Sequence, residues 1–178
     1  MAWNKSAPTL CLLLVLLLLP PAAPAVQDVP PLTPEDLEVL LGETVFSLDV
    51  PAAPLLRALD QKGIRLTVRE VDSCLFPGKD REFSDDQILI GTLPRGARGA
   101  DMVETIMALG GEYMTRRGIG IGSTGQDVLA AYGEAALKDY DLLIYCLPGQ
   151  PDGPWLVFVM DLEKDTVLSF YAVLNTQG

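Results

Sequence analysis

The sequence predicts an α+β fold, an antiparallel β-sheet meander packed by short helices. Three observations predict it. Strand-length apolar runs at Tyr140 to Leu147, Trp155 to Met160 and Val167 to Leu174 follow one another at the C-terminal end. The connections between them, Pro148 to Pro154 and Glu163-Lys164-Asp165, have the turn chemistry that joins neighbouring strands antiparallel. Ahead of them lies one well-marked short helix, so a helix followed by three strands makes a two-layer arrangement.

The chain opens with a segment that stands apart from this fold. Lys5 is the only charged side chain before an unbroken apolar run of ten, Leu10 to Leu19, which includes Cys11. Pro20-Pro21-Ala22 leads to Ala23-Pro24-Ala25, an A-x-A cleavage signal. This is the layout of a signal peptide over residues 1–25, cleaved near Ala25, and the run falls short of the about 20 residues of a helical membrane span. An uncleaved anchor is the alternative reading. Cys11 opens the run and no small-residue box precedes it, which argues against a lipid-anchored cysteine. The mature chain is expected to start near Val26, to be secreted, and to keep no membrane span.

Each later element has its own justification. Thr33-Pro34-Glu35-Asp36 reads as a helix start, yet Leu37 to Leu41 alternates only briefly. Gly42-Glu43 then makes a turn, and Thr44 to Leu48 alternates with period two. A hairpin across Leu41-Gly42-Glu43 is the preferred reading and an N-terminal helical turn the alternative. Pro54 suits the first residue of a helix with Leu55, Leu56 and Leu59 on its apolar side and Gly63 as its stop. Residues 26–63 thus form a strand-strand-helix unit and 64–178 a larger α+β module, with 35–175 reading as one continuous globular domain. Ile64 to Val71 alternates well, Pro77-Gly78 marks a turn, and Ile88-Leu89-Ile90 is a short buried strand. The clearest local code lies in Thr115 to Gly133. Thr124 or Ser123 can cap, and Thr124 with Asp127 gives a capping box, with Asp127 at the positive end of the helix dipole. Val128, Leu129 and Tyr132 give this helix its apolar side, and Gly133 supplies the left-handed stop.

Composition narrows the function. The chain has 24 acidic and 13 basic residues and a net charge of −11; losing residues 1–25 removes Lys5 and no acid, which makes it −12. Such acidity argues against nucleic acid and anionic lipid as partners. There is no histidine, which removes Ser-His and Cys-His dyads and histidine-ligated zinc. Cys74 and Cys146 remain after processing. An exported pair permits a disulfide, while Cys146, inside the run Leu142 to Leu147, reads equally as a buried thiol.

Two phrases carry a resemblance. Gly118-Ile119-x-Ile121-Gly122-Ser123-Thr124-x-x-Asp127-Val128-Leu129-x-x-Tyr132-Gly133 resembles a phrase recurring in secreted proteins and lipoproteins of Firmicutes, and so does Asp72-Ser73-Cys74-Leu75-Phe76-Pro77-Gly78-Lys79-Asp80. The order of helix then meander is similar to modules of the β-lactamase-inhibitory-protein type and of the small outer-membrane-assembly lipoprotein type. The resemblance spans roughly residues 71–173. It implies that Met102 to Leu109, whose Met102, Val103, Ile106, Met107 spacing has helical period, is a strand. It also implies a protein that binds or inhibits through its sheet surface and has no catalytic centre, an analogy at the level of fold. This chain lacks the lipid-anchoring cysteine of many such proteins.

Candidate sites are weighed against plainer readings. Gly120-x-Gly122-x-x-Gly125 matches the dinucleotide fingerprint, but the short helix and antiparallel strands after it do not make the βαβ unit that motif requires. No cofactor is therefore expected, and the glycines serve a tight turn. Arg116 and Arg117 could contact an acidic partner or simply be solvated. Asp80, Glu82, Asp85 and Asp86 could supply oxygen ligands to calcium, but lack the spacing of a known loop, and a solvated hairpin face is preferred. Among the aromatic residues Tyr140, Tyr145, Trp155, Phe158, Phe170 and Tyr171, strand alternation buries one set and leaves the other to meet a partner. The expected function is an exported protein-binding or inhibitor-like module without catalytic activity. Its partner is an exported or cell-surface protein, met through Arg116, Arg117, Tyr140 and Trp155. The alternative is an exported carboxylate-type hydrolase of envelope glycans, which needs two carboxylates roughly 5–10 Å apart in a cleft.

Overall fold

The computed structural model describes residues 29–176; the expected signal segment lies outside them. Pro34–Leu37 is a 3-10 turn capped by Thr33, whose N–H and hydroxyl both donate to Asp36 Oδ2 at 2.8 and 3.0 Å. Strands β1 (Val39–Leu41) and β2 (Thr44–Phe46) then form a hairpin about Gly42-Glu43. Both readings of this stretch are thus present, one after the other. Helix α1 (Ala52–Gln61) starts two residues before Pro54 and buries Leu55 and Leu59.

Seven strands and a helix follow before the last two strands. They are β3 (Thr67–Asp72), β4 (Lys79–Ser84), β5 (Ile88–Leu93), β6 (Met102–Ala108), β7 (Met114–Thr115), α2 (Gly125–Tyr132), β8 (Leu137–Asp139) and β9 (Leu142–Cys146), then β10 (Trp155–Asp161) and β11 (Thr166–Val173). Eight strands make one antiparallel sheet in the order β3-β4-β5-β6-β11-β10-β9-β8. β7 pairs with β1 instead, so a small sheet β2-β1-β7 ties the first unit to the rest. The fold is α+β and mostly antiparallel sheet, with two α-helices among the described residues. Four strands, not three, follow α2 in meander order.

Strand alternation fixes what lies in the core. Ile90, Ile106, Ala172, Leu156 and Tyr145 stand opposite one another across five strands, and Ile88, Ala108, Phe170, Phe158 and Leu143 form the next row. Over these rows lie Leu55 and Leu59 of α1, Val128 and Tyr132 of α2, and Val39 and Phe46 of the small sheet. The rings of Tyr132, Tyr145 and Phe158 sit 5.4, 5.5 and 5.9 Å apart, and Phe170 adds a contact at 6.0 Å. Each fully buried apolar side chain here contributes about 1.5–3 kcal/mol.

Three sequence expectations are corrected. Leu129 is exposed while Val128 and Tyr132 are buried, because consecutive helical residues lie about 100° apart and only the i, i+4 pair shares a face. All six residues of β3 are exposed, since this strand lies at the sheet edge. It is held by the ion pairs of Arg81 with Glu70 and Lys79 with Asp72, each at 2.6 Å. The run from Tyr140 is not one strand, for Tyr140 and Asp141 form the two-residue turn between β8 and β9. The helical spacing within β6 also has a cause. A bulge opposite Gly91-Thr92 turns Val103 and Ile106 to the same buried face.

Helix α2 keeps its local code. Thr124 Oγ1 accepts from the Asp127 N–H at 3.1 Å, and Asp127 Oδ2 accepts from the Thr124 N–H at 2.8 Å. The Thr124 hydroxyl and N–H hold the Asp127 carboxyl below its ordinary value. Gly133 ends the helix at φ +73° and ψ −160°, a positive-φ conformation suited to glycine but not the αL stop expected from the sequence.

Candidate binding face

The glycine-rich turn before α2 is occupied by the fold itself. Gly122 adopts φ +85° and donates its N–H to Val167 O at 2.9 Å, while Gly125 donates to Asp165 O at 3.0 Å. A Cβ on Gly125 would collide with the Asp165 carboxylate. The turn is thus clipped onto the β10–β11 connection, and its glycines serve that close approach.

Arg117 is an anchor within the fold. Its five N–H donors all have acceptors. Nε and Nη2 bind the two Asp36 oxygens at 2.8 and 2.6 Å. Nη1 donates to Pro30 O and Ala131 O, and Nη2 also to Pro31 O, each at 2.9 Å. The guanidinium lies 4.9 Å from the Tyr132 ring centre, a cation–π geometry. Its side chain is 16 % exposed and that of Asp36 7 %. Burial pushes the Asp36 carboxyl up, but hydrogen bonds from Arg117 and Thr33 outweigh this and hold it below its ordinary value. Arg116 is more open and pairs with Glu38 through Nε at 2.5 Å. Sequence reasoning missed Asp36 as the partner because it lies 81 residues earlier.

Cys74 and Cys146 are both free. Cys74 lies in the β3–β4 turn and Cys146 on β9, six strand spacings across the sheet. That is roughly 29 Å, far beyond the ~7 Å limit between Cα atoms for a disulfide. The two do not pair with one another in this fold.

The large sheet has a second apolar face. Leu89, Met107, Tyr171, Val157 and Ile144 stand directly opposite one another on β5, β6, β11, β10 and β9. Beside this row run Thr105, Val173, Trp155 and Cys146, and on its other flank Ser169, Val159 and Leu142. None of these side chains is charged. Both helices and the small sheet bury their side chains on the opposite face. Val157 is buried yet stands outside that core, and the others of the central row are half-buried. Burial raises the Tyr171 hydroxyl above its ordinary value. Strand spacing and rise give this field on the order of 400 Å², a size at which an apolar patch is commonly functional.

Of the expected contacts, Trp155 lies on this face, its indole N–H donating to Pro151 O at 2.9 Å. Tyr140 is 88 % exposed in the turn at the sheet's far edge, at φ +51°. Tyr145, Phe158 and Phe170 belong to the core. The sequence signal for the face was present in Leu142 to Cys146 and Trp155 to Met160, which are apolar at both parities, the mark of strands with two apolar surroundings.

At its β4 side the face deepens into a groove of about 330 Å³. Gly91 forms the floor, between Glu82 on β4 and Thr105 on β6. Arg69, Val71 and Asp80 line the outer wall, with Leu93 and Glu104 at the inner side. Asp80 Oδ1 is buried without a hydrogen-bond partner. Among the described residues no cation lies within ion-pair distance of Asp80 or Glu82. Arg81 is taken up by Glu70 at 2.6 Å and Asp101 at 2.7 Å. Glu104 Oε1 accepts from the Thr176 N–H at 3.3 Å. From the expected acidic cluster, Asp85 instead closes the turn before β5, accepting from Gln87 and Ile88 N–H at 2.8 and 2.9 Å. Among the described residues no group of three or more His, Cys, Asp or Glu side chains is placed to hold a metal ion. Nor is any described helix long and apolar enough to cross a membrane.

No family model, no curated protein and no solved structure matches this chain.

Proposed function

We propose that this is an exported protein-binding accessory module that acts without catalysis and engages its partner through the open face of the eight-stranded sheet. The observation that carries the reading is the uncharged apolar field centred on Val157, in a chain whose net charge is −11. An acidic exterior keeps such a protein soluble, while a charge-depleted centre with aromatic residues is what protein interfaces bury. Export rests on the signal-peptide layout of residues 1–25 and on the resemblance to exported Firmicutes proteins. The test is a crosslinking capture with the chain from Val26 as bait and envelope and secreted proteins of the source organism as prey. A saturable partner, competed by untagged bait, is the expected result. No enrichment over a charge-matched control overturns it.

The groove supports a second reading, the carboxylate-type hydrolase. Glu82 and Glu104 flank Gly91 on strands two spacings apart, about 10 Å, near the upper end for a glycosidase pair. Glu104 is engaged by Thr176, which weakens it as a partner in catalysis. Turnover of envelope glycans that is lost in Glu82→Gln would establish this reading in place of the first.

A further inference from the structure

We infer that the open face seats a second copy of this chain, with Trp155 of each copy entering the Gly91 groove of the other. The inference rests on the binding-face reading and names the occupant of that face. Shape carries it first. Gly91 is the sole glycine in the eight strands, and Trp155 is the sole tryptophan among the described residues. Both stand in one row of the open face, three strand spacings apart. The fold itself does not call for glycine at 91. Its φ is not positive, so the bulge beside it is not the kind that needs glycine. A Cβ there would meet Thr105 Cβ at 3.4 Å, an ordinary contact. Glycine inside a strand weakens it and marks a place where another group approaches closely. The hollow it floors, about 330 Å³, lies open on the face.

Register then sets the alignment. Two sheets packed face to face run within about 30° of each other, so a two-fold axis lies either across the strands or along them. Across them, β4 lies over β4, and Asp80 and Glu82 meet their own copies with only Arg69 opposite Glu82 to offset them. Such like charges are unfavourable in a desolvated interface. Along the strands, full overlap of the eight places the axis between β6 and β11. Met107 then faces Tyr171 of the second copy, a sulfur–aromatic contact. Leu89 faces Val157, Thr105 faces Val173, and Gly91 faces Trp155. β4 lies over β9, whose open-face residues Leu142, Ile144 and Cys146 carry no charge. Each contact occurs twice, as an isologous pair requires. The area also suffices. Eight strands and three rows make the face on the order of 700 Å². Two such faces bury about 1,400 Å², inside the range of roughly 1,200–2,000 Å² for stable specific complexes.

The experiment follows the chain from Val26, which contains every described residue, by sedimentation equilibrium and tryptophan fluorescence from about 1 μM to about 1 mM. Trp155 is the one tryptophan of that chain, so its emission reports directly on the groove. The expected result is a monomer–dimer equilibrium in which the dimer and a blue shift of Trp155 rise together with concentration. Gly91→Val fills the hollow, and Ile144→Asp puts a charge on the face. Each should keep the parent's far-UV spectrum and weaken the dimer about tenfold or more, while Leu129→Asp on α2 leaves it unchanged. A chain that stays monomeric across the range, or a dimer indifferent to Ile144→Asp, overturns the pair. A dimer lost in Ile144→Asp but not weakened by Gly91→Val overturns the seat of Trp155 in the groove. Failure of the pair is distinct from failure of the binding face. If the chain stays monomeric yet captures another exported protein, and Ile144→Asp loses that capture, the face stands without the second copy.

Discussion

The two faces of the eight-stranded sheet differ in what surrounds side chains of the same kind. Phe158 and Val157 are neighbours on β10, and both are buried. Phe158 lies in the core under α2, whereas Val157 lies in the middle of a face that no described helix or small sheet covers. One face is apolar because the described helices and small sheet pack on it. The other is apolar with no described helix or small sheet packed on it, and that surplus is the reason to assign it a partner.

Substitutions can break this comparison. Phe158→Ala should cost about 3–5 kcal/mol in urea unfolding, whereas Ile144→Ser on the open face should cost less than about 1 kcal/mol. Equal losses would mean that the open face is part of the folding core. The same contrast applies to the two arginines. Arg117→Ala leaves Asp36 buried and uncompensated and frees the backbone carbonyls of Pro30, Pro31 and Ala131, so it should cost about 3 kcal/mol. Arg116→Ala removes a pair whose arginine is 41 % exposed, and should cost no more than about 0.5 kcal/mol. Thr124→Ala, which deletes the cap of α2, should fall between, at about 1 kcal/mol.

Titration sharpens the picture from both ends of the pH scale. The folded Asp36 carboxyl lies below 3.8, so its contribution is complete above that pH and is lost as acid protonates the folded form. Asp36→Asn should flatten that part of the acid unfolding curve. Tyr113 and Tyr145 are pushed up by burial to about 12. A raised phenol favours the neutral fold, so stability present below about pH 10 should decline as pH rises toward 12. Absorbance of these phenolates should appear together with unfolding, and earlier appearance would contradict their burial.

The parts legible in the sequence are those whose physics is local. The cap of α2, its stop at Gly133 and the Gly42-Glu43 hairpin use residues within a few positions of each other. The role of Arg117 was hidden because Pro30, Pro31 and Asp36, four of its five acceptor contacts, lie 81 to 87 residues away. Two cysteines in an exported chain suggested a bridge, and only strand order shows how far apart they stand. The face itself was half legible. Alternation sorted Tyr145 and Phe158 from Trp155 in principle, but the order β6-β11-β10-β9, which assembles Met107, Tyr171, Val157 and Ile144 into one row, is a property of the pairing and not of any one strand. The Gly91 groove depends on that pairing too, since its walls come from β4 and β6.

The most direct test of the binding face compares partner capture by the parent chain, by Ile144→Asp on the open face, and by Leu129→Asp on the exposed side of α2, with all three checked for equal melting temperature. The account predicts that Ile144→Asp weakens capture at least about tenfold while Leu129→Asp leaves it unchanged. Unaltered capture by Ile144→Asp, or equal loss in both variants, would contradict it.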